Sequence, residues 1–162
     1  MKKTIILLLI FILLLSLVSC GKPEEELVQI GNPWVEYSRL SDAEDAVGFT
    51  LGMPTEITGG FIAEEFRVMN NELLEVVYRD GDYEVTVRKA LGEDQDISGL
   101  YAEFGSEDET EREGAKFISK SIDEHGSLTL VSYKGYSYSL YAPNGFWGDS
   151  AEDFIIAVLA SE

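Results

Sequence analysis

The stretch Phe61–Leu91, FIAEEFRVMNNELLEVVYRDGDYEVTVRKAL, decides the fold of this chain. Its apolar residues recur at every second position, which is the period of a β-strand with one buried face. Polar breaks at Asn70-Asn71 and Asp80-Gly81 divide it, and Asp-Gly suits the positive φ values that both central residues of a type I′ turn need. The sequence therefore predicts three antiparallel strands joined by hairpins.

A second set of strands follows after an acidic interval. Gly92–Gly114 is polar and acidic, which predicts an irregular loop with one short ordered piece at Ile97–Phe104. The aromatic residues change parity across Lys134-Gly135, as a two-residue hairpin loop would cause. The three strands predicted here are Ala115–Ile122, Leu128–Tyr133 and Tyr136–Tyr141.

Helices are predicted at the two ends of this region. Ser41 and Glu44 have capping-box spacing, and Gly48 can end the short helix that they open. A last helix begins near Asp149 or Ser150 and has an apolar stripe. The predicted fold class is therefore α+β: a largely antiparallel sheet of about six strands in two meanders, with a short N-terminal and a C-terminal helix on one face.

The N-terminus has the layout of a secretory signal. Lys2 and Lys3 precede the apolar run Ile5–Leu15, which is short for a membrane span of about 20 residues. Leu17–Gly21, LVSCG, resembles the lipobox of bacterial lipoproteins of the Gram-positive type. The resemblance implies lipid transfer to the Cys20 thiol and cleavage before that residue. The alternative is an uncleaved signal anchor in which the cysteine is incidental.

The lipobox sets the predicted domain organisation and localisation. Residues 1–19 are the signal peptide, 20–29 a tether, and 30–162 a single domain. Because each buried methylene contributes about 0.8 kcal/mol, two acyl chains such as palmitate anchor durably. Cys20 is the only cysteine, so a disulfide within one chain is excluded. We expect a protein anchored by lipid to the cell membrane and facing outside the cytoplasm.

The charge balance limits the classes of partner. The first nineteen residues contain two of the twelve basic residues and none of the thirty acids, so the mature formal charge is −20. Nucleic acids and anionic lipids both require clusters of Lys or Arg, so neither is an expected partner of the domain. Cationic partners and divalent ions are permitted, and solubility alone is the simplest interpretation of the acidic balance.

Several segments resemble a known family. They are Asn32–Tyr37, Ser41–Phe49, Asp96–Gly99 with Tyr101, and Gly135–Ser139. Together they resemble extracytoplasmic domains of unknown function that occur in lipoproteins and in the outer parts of anti-sigma-like membrane proteins. The resemblance covers most of the mature chain and implies no catalytic residues. Here the lipid would replace the transmembrane helix of the anti-sigma-like proteins.

One loop carries half of a calcium motif. Asp94, Asp96 and Ser98 place oxygen atoms at alternate positions before Gly99, as the first half of an EF-hand loop does. The second half fails because the bidentate acid would fall on Gly105. The competing interpretation is structural, with the Asp and Ser side chains accepting hydrogen bonds from nearby backbone N–H groups in a turn.

Catalytic chemistry has weaker support. A serine hydrolase would use Ser137 or Ser150 with His125, the only histidine, but the glycine pattern of a nucleophile elbow is incomplete. Zinc and copper sites usually need several His or Cys ligands, which this chain lacks. Glycoside cleavage uses two carboxyl groups at a defined separation. In a chain with thirty acids the sequence alone cannot identify such a pair. No cofactor is predicted, and the expectation is a protein that is not an enzyme.

The aromatic run Tyr133–Trp147 is the one candidate recognition surface. Tyr136, Tyr138, Phe146 and Trp147 lie among Gly, Ser and Asn, a mixture that suits ligand contact. The same alternation also suits a half-buried strand, so core packing is the competing interpretation. The sequence therefore predicts a binding or accessory module for a small ligand or an envelope protein, with calcium binding or hydrolysis as alternatives.

Overall fold

The computed structural model describes residues 32–57, 59–122, 126–145 and 151–161. From Pro33 onward the chain forms one compact unit. Its two helices are α1 (Leu40–Val47) and α2 (Ala151–Ala160). Its strands are β1 (Trp34–Tyr37), β2 (Glu56–Ile57), β3 (Phe61–Met69), β4 (Leu73–Asp80), β5 (Tyr83–Leu91), β6 (Ser106–Arg112), β7 (Ala115–Ile122), β8 (Gly126–Tyr133) and β9 (Tyr136–Ala142).

All the strands belong to one sheet in the order β1-β3-β4-β5-β9-β8-β7-β6, and β2 also pairs with β3. Every pair of neighbours is antiparallel. The two meanders meet where β5 pairs with β9, and Leu91 lies opposite Tyr136 in that register. The mostly antiparallel α+β architecture is therefore confirmed.

The number of strands is corrected from about six to nine in the described residues. β1 occupies residues for which no strand was predicted, and β2 has only two residues between Pro54 and Gly59. β6 lies inside the predicted acidic loop. Nearly all its side chains are exposed, so the alternation that marks a half-buried strand is absent from its sequence SEDETER.

The predicted hairpins are confirmed, with one turn shifted. Lys134 and Gly135 form the two-residue loop between β8 and β9, and both have positive φ. In the β4–β5 hairpin Asp80 still pairs with Tyr83, so the loop is Gly81-Asp82 and only Gly81 has positive φ. The prediction of a type I′ turn over Asp80-Gly81 was wrong, and the single positive φ at the first loop residue is that of a type II′ turn.

The predicted capping box of α1 is also wrong. The N-cap is Arg39, whose side chain makes no cap hydrogen bond. The Glu44 carboxylate instead accepts a hydrogen bond from the Leu51 backbone N–H at 2.7 Å, so a tertiary contact replaces the local one. The C-terminus follows the prediction, because Gly48 adopts a left-handed conformation with φ 76°.

One face of the sheet carries the apolar core. Both helices contribute to it, with Ala43 from α1 and Ile155 and Val158 from α2. Tyr78 is fully buried there, and its hydroxyl donates to the Pro54 carbonyl oxygen at 2.6 Å. Burial raises the pKa of this phenol because the phenolate would lose its hydration.

The opposite face of the first meander carries an arginine–glutamate cluster. Glu75 is 1 % exposed, and its two carboxylate oxygens lie 2.7 Å from Arg67 Nε and 2.6 Å from Arg88 Nε. Both guanidinium groups also lie over the Trp34 ring, at 5.6 and 5.3 Å from its centroid. The remaining members are Glu64, Glu65, Arg79 and Glu84. Three arginines thus meet four glutamates.

Residues 92–105, which we call the crossing segment, connect β5 to β6 over this same face. The backbone N–H groups of Asp94 and Gln95 donate to the hydroxyls of Ser132 and Ser137, at 2.9 and 3.1 Å. These contacts attach the crossing segment to β8 and β9. Among the described residues, no helix is long and apolar enough to cross a membrane.

Candidate ligand-binding cleft

A cleft of about 720 Å³ lies at one end of the sheet. Its walls come from the residues after α1, the β3–β4 turn, the end of β5 and the crossing segment. The volume falls within the range of about 300–1,000 Å³ that small-molecule sites occupy. Two residues predicted as site residues line it, Tyr136 from the aromatic run and Asp96 from the calcium-like loop.

A buried lysine contacts the aromatic wall of the cleft. Phe49 and Tyr136 meet edge to face at 5.5 Å between ring centroids. The Lys89 side chain is buried, and its Nζ lies 4.4 Å from the Tyr136 centroid and 2.6 Å from the Thr50 carbonyl oxygen, to which it donates. Cation–π and edge-to-face contacts of this kind fix the Tyr136 ring while leaving it half-exposed.

Tyr138 has a different position. It is 1 % exposed and packs in the core, where its ring centroid lies 5.1 Å from Lys89 Nζ. A ligand could reach Tyr138 only if the core opened. The structure therefore separates two tyrosines that the sequence pattern treats alike, one in the cleft wall and one in the core.

Arg88 fixes the part of the crossing segment that lines the cleft. Its Nη1 donates to the carbonyl oxygens of Ile97, at 3.0 Å, and of Ser98. Gly99 lies so close that a Cβ there would come 2.7 Å from Nη1, and its φ of +68° also disfavours other residues. The position of this wall is therefore set by contacts with β5.

An exposed leucine stands at the edge of the cleft. Leu91, the last residue of β5, is 68 % exposed and lines the cleft together with Leu73 and Ile97. Neither Arg88 nor Leu91 was predicted as a site residue. Both residues fit the sequence pattern of an ordinary strand. They line the cleft only because β5 ends there and the crossing segment runs beside them.

The three residues predicted as calcium ligands are engaged in hydrogen bonds to protein groups, Asp96 with Ser98 and Asp94 with Ser132. Asp96 Oδ1 accepts hydrogen bonds from the Ser98 backbone N–H at 3.0 Å and from its hydroxyl at 2.6 Å. Asp94 lies beside Ser132, whose hydroxyl donates to Asp94 Oδ1 at 3.2 Å. In the described part of the chain, no three His, Cys, Asp or Glu residues group as a metal site. Calcium binding stays a prediction, and the observed bonds are those of the structural turn.

Asp96→Ala should lower the free energy of unfolding by about 1 kcal/mol in EDTA as well as in calcium, because the hydrogen bonds that its Oδ1 accepts come from the backbone N–H and hydroxyl of Ser98 and need no metal. Asp108→Ala, at an exposed position of β6, is the matched control and should change little. Urea denaturation measures both. A loss at Asp96 that occurs only in calcium would instead support a metal site.

Ser137 is the candidate nucleophile that lies within the described residues, and it is fully buried. Its hydroxyl donates to the Gly92 carbonyl oxygen at 2.8 Å and accepts from the Gln95 N–H. In this arrangement it attaches the crossing segment to β9 and is not accessible to a substrate. The remaining candidates Cys20, His125, Phe146, Trp147 and Ser150 lie outside the described residues, as do the signal peptide and the tether.

A second cavity of about 600 Å³ lies along α2, beside Met53 and Phe154. None of the predicted site residues that the structure describes lines it.

The comparisons with known proteins were negative: no family model, no curated protein and no solved structure matches this chain. The resemblance to secreted domains of unknown function stays a prediction from the sequence.

Proposed function

We propose that the protein is a lipoprotein, held on the outer side of a cell membrane by lipid on Cys20. The observation that carries the proposal is LVSCG at Leu17–Gly21, where the only cysteine of the chain follows an apolar run and a basic start. The tether and the strongly acidic domain would then extend from the membrane, because charges of one sign repel anionic lipid headgroups.

The domain itself is proposed to be a non-enzymatic binding or accessory module. Support comes from the cleft at the end of the sheet, which combines an apolar and aromatic lining with a small number of polar groups. Tyr136 and Asp96 line the same cleft although they are 40 positions apart in the sequence. Lys89 contacts the Tyr136 ring, and Arg88 donates a hydrogen bond to the Ile97 carbonyl oxygen. These contacts hold the lining in place, as expected for a preformed site.

A membrane-impermeant amine-reactive biotin reagent tests the outward orientation on intact protoplasts. Lys134 lies in the exposed β8–β9 turn and should be labelled, whereas Lys89 is buried and should not react in the folded protein. Lys134→Arg should remove the corresponding labelled peptide. Peptide mass spectrometry measures both sites. Labelling of Lys134 only after lysis would contradict an extracytoplasmic domain.

A further inference from the structure

Within the described residues, β6 forms one long unpaired edge of the sheet. All seven of its residues pair with β7, and no second described strand pairs with it. The other edge of the sheet is divided, because β1 has four residues and β2 has two. An edge strand exposes backbone N–H and C=O groups that another strand can pair with.

The side chains along this edge have a regular charge pattern. Glu107, Glu109 and Glu111 occupy alternate positions and so project from one face of the sheet. The neighbouring strand β7 shows what complements them: Lys120 Nζ lies 3.3 Å from the Glu107 carboxylate, and Lys116 Nζ lies 3.4 Å from that of Glu109. The same glutamates also flank the free side of β6, where no described strand pairs with it.

This pattern limits the possible occupants of the edge. A second copy of β6 would place acids opposite acids, which is unfavourable for neighbouring strands. The chain's own tether carries Glu24–Glu26 and has the same sign of charge. A strand with basic residues opposite these glutamates would add on the free side the kind of opposite-charge contact that Lys116 and Lys120 of β7 make on the other side.

We propose that the free edge of β6 binds an extended, basic segment of a partner protein by strand addition. Backbone hydrogen bonds to β6 would supply the attachment, and lysine or arginine side chains beside Glu107, Glu109 and Glu111 would supply the selectivity. The interaction uses neither the cleft nor the lipid, so it stands independently of the proposed function.

The probe is a short fluorescent peptide with lysine at every second position and threonine between. We expect the purified full chain to raise its fluorescence anisotropy at physiological salt. The same peptide with N-methylated backbone amides on one edge retains its charge but cannot pair with a strand, so it should bind at least about tenfold more weakly. Absence of binding by the lysine peptide, or equal binding of the two peptides, would overturn the proposal.

Matched variants test the acidic side chains. Replacing Glu107, Glu109 and Glu111 together with Gln should weaken peptide binding about tenfold, because the opposite-charge contacts of three exposed carboxylates with the peptide are lost. A control that neutralises Glu36, Asp45 and Glu103, which are exposed outside β6, should bind as the wild type does. Circular dichroism checks that both variants fold. Equal weakening in the two variants would show attraction by net charge alone and would overturn the site.

Discussion

Glu75→Ala is expected to lower the free energy of unfolding by about 3 kcal/mol, a large fraction of the total for a domain of this size. The carboxylate is 1 % exposed and neutralises Arg67 and Arg88 at the same time. Its removal would leave two guanidinium groups near the Trp34 ring without the carboxylate that they share. Both arginines retain some exposure, 24 % and 18 % of the side chain, which places the loss at the lower end of the range for a broken buried pair.

Urea denaturation followed by tryptophan fluorescence measures this effect. Glu64→Ala is the matched control, because Glu64 belongs to the same cluster but its side chain is 52 % exposed and lies 3.5 Å from Arg79. We expect a change below about 1 kcal/mol for that variant, as for other exposed pairs. Equal losses in the two variants would contradict the buried role of Glu75.

Cys20→Ala is expected to abolish lipid attachment completely, because the thiol is the acceptor that the lipobox implies. Metabolic labelling with a radioactive or alkyne fatty acid measures the loss on the immunoprecipitated protein. Ser19→Ala is the matched control, since it keeps a small residue next to the intact thiol and should retain the label. A Cys20→Ala protein with undiminished label in the membrane fraction would contradict anchoring through this residue.

The strands that contribute apolar rows to the core were predictable from the sequence, and the exposed strand was not. β4 and β5 each direct alternate apolar side chains into the core, although their hairpin loop is Gly81-Asp82 and not the predicted Asp80-Gly81. β6 has acidic residues on both faces, so hydrophobic periodicity does not predict that it pairs with β7. The capping box failed because the Glu44 side chain bonds Leu51, seven residues away, in place of its own helix.

The candidate site was predictable only in parts. Tyr136 and Asp96 were selected for separate reasons, and nothing in their spacing indicates that they line one cleft. Their proximity depends on the β5–β9 register and on the hydrogen bonds from Arg88 to the crossing segment. Such contacts join residues distant in sequence, and no local pattern reports them. The same limit applies to Tyr138, which lies on the core face of β9 between its partners Lys89 of β5 and Val131 of β8.

The most direct test of the central claim is the mass of the N-terminal peptide of the protein purified from cell membranes. We predict that this peptide begins at Cys20 and carries the added mass of a diacylglyceryl group, with residues 1–19 absent. A peptide that begins at Met1, or an unmodified Cys20 in protein recovered from the membrane, would contradict the lipid anchor.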